Sequence, residues 1–270
     1  MLAVQDLSVE FCRYKGFTRQ RGVVCLENIC LEMSRGEILA VIGASGSGKS
    51  LLVHAMLGLV PGNATIGGRV AMDGKVLDLS ARRALCGNRL ALVPQSISYL
   101  DPLVRSGRQM FWAAGRAGCG DHEIPGVVKA SMDRFNLNAW AARAYPHQLS
   151  GGMARRVLLA IASAGRADAV LADEPTSALD ENNAQAVLVH LRRIADEGKA
   201  VMLVTHDLCA ALPFADRVAI IRDGRLAAIE PACAFSGDGG ELRSSYAKAL
   251  WNALPQNGFA TTGGVLARSA

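Results

Sequence analysis

EILAVIGASGSGKSLLVHAMLGL, residues 37–59, sets three patterns end to end. EILAVIG is an unbroken apolar run, as expected of a strand covered on both faces. GASGSGKS is a turn carrying Gly43, Gly46 and Gly48, and LLVHAMLGL has apolar residues at helical spacing. Strand, glycine turn, helix is a unit that opens many nucleotide-binding α/β proteins. The turn also fits G-x-x-x-x-G-K-[ST]. Glycines suit it because successive backbone N–H groups must turn inward around an anion, and side chains there would obstruct them. The N-terminus of the following helix adds about half a positive charge at the same spot. Lys49 is then expected to reach the β- and γ-phosphates, and the Ser50 hydroxyl to ligate Mg²⁺. The nucleotide-binding candidates are Gly43, Ala44, Ser45, Gly46, Ser47, Gly48, Lys49 and Ser50. A merely flexible Gly-Ser turn would leave the flanking strand and helix unexplained.

A second stretch, VLADEPTSALD at residues 170–180, ends an apolar run on two adjacent acids, Asp173 and Glu174. An unpaired buried carboxylate costs several kcal/mol, and neighbouring ones repel, so a cation is expected close by. Mg²⁺ held by Ser50 and Asp173 supplies it. Glu174, one residue further on, is the candidate to orient the attacking water and accept its proton. Read alone, the acids could be a turn in which Pro175 ends a strand.

Two further polar residues follow apolar runs. His206 comes after VMLVT, and at the C-terminal end of an interior strand it would face the ligand crevice and sense the γ-phosphate and the water. Gln95 closes LALVPQ, where a neutral amide can touch both metal and water. LSGGM, residues 149–153, discriminates most. Ser150, Gly151 and Gly152 open the helix MARRVLLAIAS and make a second anion-binding helix N-terminus, about a hundred residues beyond the first.

The rest of the chain supplies a frame. Its 270 residues allow one sizeable core with an inserted subdomain, and with 50% apolar and 20% charged residues it reads as compact. The net charge of +5 is dispersed, mildly favourable to an anionic ligand and without the basic block of a nucleic-acid binder. Seven scattered cysteines, with no Cys-x-x-Cys pair, suggest small core residues in a reducing compartment. MLAVQDLSVEF lacks the pattern of a signal peptide, and no window is apolar enough to span a membrane, so a cytosolic chain is expected. LAVQDLSVEF and VCLENICLEM, separated by the polar turn FCRYKGFTRQRG, read as antiparallel strands, and GGRVAMDGKVL as a hairpin around Asp73 and Gly74. Residues 96–165 lose the β-branched runs and read as a helical insert. ADAVLADEP, AVMLVTHD and DRVAIIRDGRLAAIE restore strands, with ENNAQAVLVHLRRIADEG a helix stopped by Gly198. The outcome is a mostly parallel sheet. A last helix is expected in ELRSSYAKALWNALP, and QNGFATTGGVLARSA reads as a loose tail.

The motif set resembles the ATP-binding subunits of ABC transporters. GASGSGKS is similar to Walker A, AVLADE to Walker B, LSGGM to the signature sequence and SALD, ending in Asp180, to the D-loop; Gln95 and His206 match the Q-loop glutamine and the switch histidine. The resemblance covers about residues 1–235, with residues 236–270 as a short C-terminal helix and tail. It implies a P-loop NTPase core, α/β with an N-terminal antiparallel β subdomain and an inserted helical subdomain at about 96–165. It also implies ATP hydrolysis with Mg²⁺, an aromatic stacked on adenine (Phe11, or Tyr14), and catalytic roles for Glu174, His206 and Gln95. Ser50, Gln95 and Asp173 are the implied metal-contacting set, and Ser150, Gly151 and Gly152 contact the ATP of another subunit. Two such subunits, self or paralogue, would form a head-to-tail sandwich against two membrane permeases, with an extracytoplasmic solute-binding protein as an indirect partner. The place of action is the cytoplasmic face of the inner membrane.

Within the family, PQSISYLDPLVRSGRQM and YPHQLSGGMARRVLLAIA are similar to the peptide and nickel importer group, where Met153 in place of the commoner Gln is frequent. The short C-terminal part resembles the nickel or metal-chelate branch; a di- or oligopeptide importer is the alternative. A soluble repair ATPase would carry a long heptad coiled coil, and a translation factor two cassettes, neither of which is found. An unrelated P-loop kinase or GTPase would leave LSGGM unexplained.

Overall fold

A computed structural model describes residues 1–15, 19–165 and 167–254, without the side chains of residues 13–21. The chain forms two sheets. The first is antiparallel, with order β2-β1-β4-β5, built from β1 (Leu2–Lys15), β2 (Arg19–Met33), β4 (Ala64–Met72) and β5 (Lys75–Leu77). The second, in order β10-β9-β3-β8-β7-β6, contains β3 (Ile38–Ile42), β6 (Leu90–Val93), β7 (Ala169–Asp173), β8 (Ala200–Val204), β9 (Arg217–Arg222) and β10 (Arg225–Pro231). Its strands run parallel except the edge strand β10, which turns back on β9.

The helices are α1 (Lys49–Leu57), α2 (Leu79–Leu85), α3 (Ser106–Arg116), α4 (Ile124–Arg134), α5 (Ala139–Arg143), α6 (Gly151–Ser163), α7 (Glu181–Asp196), α8 (Leu208–Ala211) and α9 (Ser245–Asn252).

The unbroken apolar runs are explained by burial on both faces of the parallel sheet. Ile38, Ala40 and Ile42 of β3 enter one core with α6, α7 and α9, while Leu39 and Val41 enter the other with α1 and the antiparallel sheet. The same alternation holds in β8, where Val201 and Leu203 face one way and Met202 and Val204 the other. The short apolar bursts of β1 reflect a bulge. Asp6 adopts φ 51°, the register slips between Val4 and Leu7, and Leu7 and Val9 therefore return to the core side.

The Asp-Gly pairs at 73–74 and 223–224 are tight hairpin turns with positive φ at each residue, Asp73 and Gly74 at 49° and 79°, Asp223 and Gly224 at 49° and 75°. The strands β1 and β2 reach into the stretch expected as a turn, whose residues 16–18 lie outside the described ones. So does the expected tail beyond residue 254. The helix α2, unexpected between a hairpin and a strand, is set by Asp78, whose carboxylate accepts from the Ala81 N–H at 2.7 Å. Residues 94–168 contain no strand among those described. The last helix joins the central core: Ala247 and Trp251 of α9 pack in the cluster that holds Ile38 and Ala40.

Candidate active site

The register of the parallel sheet gathers the chemistry at one edge. Val41 of β3 lies beside Val204 of β8, Val204 beside Asp173 of β7, and Ala172 beside Val93 of β6. The residues following these strands, the 43–50 turn, Glu174, His206 and Gln95, consequently emerge together at the C-terminal ends, where open α/β sheets bind ligands. Short bonds fix the edge: the Glu174 N–H donates to Val204 O at 2.9 Å and the Thr205 N–H to Val41 O at 3.1 Å.

The glycine turn wraps around the N-terminus of α1. A Cβ on Gly43 would overlap the Ile221 carbonyl, and one on Gly48, at φ 102°, would come within 2.5 Å of Leu26 Cδ2. Gly48 is the N-cap and offers no side-chain acceptor, so the first N–H groups of the helix have no capping partner. Lys49, 6% exposed, folds its amine back on its own turn and donates to the carbonyls of Gly43 and Ala44 at 2.8 and 2.9 Å. Burial lowers its pKa, opposed by the nearby Glu174 and Asp173 charges. Ser47 Oγ is buried in the turn without a hydrogen-bond partner among the described residues.

Asp173 is 3% exposed, and burial raises its pKa; the hydrogen bond from Ser50 Oγ at 3.0 Å, then the His54 and Lys49 charges, offset part of this. Lys49 is engaged by carbonyls, which leaves Asp173 without a direct cationic partner. An oxygen-donor pair of carboxylate and hydroxyl fits Mg²⁺, which takes one or two protein oxygens and completes its shell from phosphates and water. Among the described residues no group of three His, Cys, Asp or Glu could hold a metal unaided. Orphaned Ser47 Oγ, uncapped helix and paired oxygens thus fit a magnesium-bound phosphate chain.

Glu174 occupies left-handed backbone at φ 42°, a conformation costing a non-glycine residue about 1–3 kcal/mol. Its carboxylate is held from two sides: Gln95 Nε2 donates to Oε2 at 3.1 Å, and the largely exposed His206 places Nδ1 3.3 Å from Oε1. The cleft in front measures about 510 Å³ and is lined by the turn, Gln95, Glu174, Val24, Cys25 and the Asp223–Gly224 hairpin.

Not every candidate is brought there. Phe11 pairs with Val23 and Ala64 and packs against the core beneath the antiparallel sheet, and it does not line the cleft. The Tyr14 side chain lies outside the described ones. Ser150, Gly151 and Gly152 do not line the cleft either. Ser150 is exposed and caps α6, its Oγ accepting from the Met153 N–H at 3.3 Å. Asp180 caps α7 through the Asn183 N–H at 3.0 Å, and the Asn183 side chain packs where a Cβ on Gly152 would reach it at 2.9 Å.

The lining residues Val24, Cys25 and Asp223, and the buried Arg155, were outside the sequence expectations. The Asp-Gly pair at 223–224 is the one signal that could have announced a hairpin there; Arg155 has no local signature.

A family model described as ABC transporter matches residues 26–177. The chain is 39% identical over 214 residues to the hemin import ATP-binding protein HmuV of Streptomyces coelicolor, covering 76% of this chain and 72% of that one. It is 32% identical over 270 residues to the probable peptide ABC transporter ATP-binding protein y4tR of Sinorhizobium fredii, covering 94% and 77%. Among solved structures, the dimeric post-hydrolysis state of the ATP-binding cassette MJ0796 bound to ADP and Pi superposes with a TM-score of 0.74 at 27% identity, over 86% of this chain and 99% of that one. A structure titled ATP binding subunit of ABC transporter gives 0.71 at 25% identity, over 92% and 96%. Sequence, sheet order and the phosphate-binding turn thus lead to one assignment: the chain belongs to the ABC transporter family and is one of its ATPases.

Proposed function

We propose that this chain is the motor subunit of a membrane ABC importer of the peptide and nickel group, working as a head-to-tail pair with a second ATPase subunit. The observation that carries the reading is the separation within one chain of two phosphate-binding devices. The glycine turn opens into the cleft, whereas Ser150 and its helix N-terminus stand outside it. A second cassette, a copy or a paralogue, brings its Ser150, Gly151 and Gly152 to the ATP in this chain's cleft. The dimeric form of the similar MJ0796 cassette supports the pairing.

The chemistry follows from the atoms at the sheet edge. The backbone of residues 43–48 and the start of α1 grip the phosphates, and the Lys49 amine, released from the Gly43 and Ala44 carbonyls, turns to the β- and γ-oxygens. Ser50 and Asp173, with Gln95 facing them, would hold Mg²⁺, which when bound supplies charge neutralisation to the phosphates. Glu174 orients water and takes its proton, while His206 and Gln95 keep the carboxylate aimed. Closure of the pair excludes water, and hydrolysis reopens it.

No helix among the described residues is long and apolar enough to cross a membrane, and two separate permeases are assigned the passage. Their docking place is the apolar groove of about 370 Å³ between β6, α3 and α6, with Tyr99, Leu100, Trp112 and Leu158 on its walls. The chain works peripherally at the cytoplasmic face of the inner membrane, with a solute-binding protein as indirect partner.

For cargo, nickel or a metal chelate is the first reading. The 39% identity to a protein named for hemin, itself an iron chelate, supports it. Peptide uptake is the second, favoured by the y4tR alignment over 94% of the chain. Purification through a tag on this chain, in gentle detergent, should retain two permeases and an ATPase activity. Cells lacking the chain should lose accumulation of radioactive nickel or chelate while keeping peptide uptake. The reverse pattern selects peptides, and absence of permeases overturns the motor reading.

A further inference from the structure

Arg155 is 3% exposed in the second turn of α6, and no carboxylate among the described residues pairs with it. A buried guanidinium without a counter-charge costs several kcal/mol and is kept only where its donors are well used. Here the two terminal nitrogens are spent on three points of main chain and turn, while Nε is buried without a hydrogen-bond partner among the described residues. Nη1 donates to Pro94 O at 2.7 Å, Nη2 to Gln95 O at 2.6 Å, and Nη2 also reaches Ser177 Oγ at 3.5 Å. Burial lowers its pKa with no opposing charge.

Both ends of this grip lead to Glu174. Gln95, whose carbonyl Arg155 holds, donates its side-chain amide to Glu174 Oε2 at 3.1 Å. Ser177, the third contact, donates its N–H to Glu174 O at 3.1 Å. Glu174 sits at φ 42°, a strained conformation that neighbours must enforce. Arg155 itself lies five residues after the Ser150 cap, on the same rigid helix.

We infer that Arg155 is a positioning residue: through Gln95 and Ser177 it sets the aim of Glu174, and through α6 it ties that aim to the helix end carrying Ser150. The inference rests on the proposed motor function, in which the Ser150 end of a chain serves one ATP and its Glu174 another. Engagement of Ser150 by the neighbour's nucleotide would then pull on the acid of the chain's own site. A rigid buried fork between discrete hydrogen-bond acceptors is suited to such a task, since moving it breaks two or three bonds at once.

The test is a double-mutant cycle in the intact transporter, purified through a tag on this chain, with Arg155→Met, Gln95→Ala and the double variant. ATP turnover at saturation and affinity for a fluorescent ATP analogue are the readouts. The expected result is a fall in kcat of about tenfold or more for each single variant, a double variant within about threefold of the worse single one, and, for Arg155→Met, analogue affinity within about twofold of wild type. Arg155→Lys, which keeps one donor group and the charge, should recover part of the loss and controls for folding. Multiplicative losses in the double variant, or turnover falling only in step with the folded fraction by thermal melting, would make Arg155 a packing residue and overturn the inference. Failure of the motor reading looks different: the tagged wild-type chain would then retain no permeases and form no ATP-dependent pair, whatever the turnover of the Arg155 variants.

Discussion

Replacing Glu174 by Gln isolates one function of the cleft. The amide has nearly the carboxylate's volume, remains compatible with the φ of 42° and can still accept from Gln95 Nε2, so the local geometry is expected to persist. What disappears is the negative oxygen 3.3 Å from His206 Nδ1 and with it the capacity to take a proton from water. General-base catalysis contributes about 10²–10⁴-fold, so turnover at saturating ATP should fall by that factor, corresponding to about 2.7–5.5 kcal/mol in the barrier. Binding should move the other way or not at all. Glu174 is an acid facing a polyanion, and its loss removes repulsion, while Asp173 continues to favour the charged form of Lys49. Phosphate release from the detergent-purified transporter, measured beside titration with a fluorescent ATP analogue, separates the two effects. Turnover within about threefold of wild type would refute the assignment of the proton acceptor. So would a tenfold loss of affinity with turnover at saturation intact.

Three further expectations concern other links of the chain. Lys49→Ala removes the amine that spans the turn and should abolish detectable analogue binding while the fold persists by circular dichroism; retained affinity would assign the phosphates elsewhere. Ser150→Arg, on the exposed cap of α6, should block ATP-dependent pairing in light scattering yet leave binding to the single subunit, and normal pairing would contradict the shared-site geometry. His190 packs edge-on against Phe135, is 4% exposed and has its pKa lowered from 6.5, first by burial and then by Arg193, Arg156 and Arg134. The unfolded chain then takes up the proton before the folded one, so His190 costs no stability above about pH 6.5 and a growing amount as pH falls below it. His190→Leu should reduce the drop in Tm between about pH 7.5 and 5.5, and an unchanged drop would exclude His190 as its source.

The strands of the parallel sheet were legible because burial on both faces leaves long apolar runs, and the hairpins because Asp-Gly pairs accept positive φ. The positions of Asp173, Glu174, Gln95 and His206 were legible for a related reason, each standing at or within two residues of the end of such a run, and those of Lys49 and Ser50 from the glycine turn that leads into α1. The facing of Phe11 was not legible, because an aromatic in β1 carries no mark telling whether it faces the cleft or the core, and the bulge at Asp6 resets the facing of the strand after it. Arg155 escaped notice because its partners lie 61, 60 and 22 residues away and include two main-chain carbonyls. In the one-letter pattern it reads as an ordinary basic residue of an amphipathic helix.

From the amino acids alone came the α/β class and the residues able to grip phosphate, since local backbone freedom and apolar periodicity are written in consecutive positions. Only the tertiary structure decided that Glu174, Gln95 and the glycine turn line one cleft, that Asp173 and His206 stand against its Ser50 and Glu174, and that Ser150 does not line it. Adjacency of strands far apart in sequence depends on the register of the sheet and the packing of both cores. Those are cooperative properties of the folded chain, and no short stretch carries them.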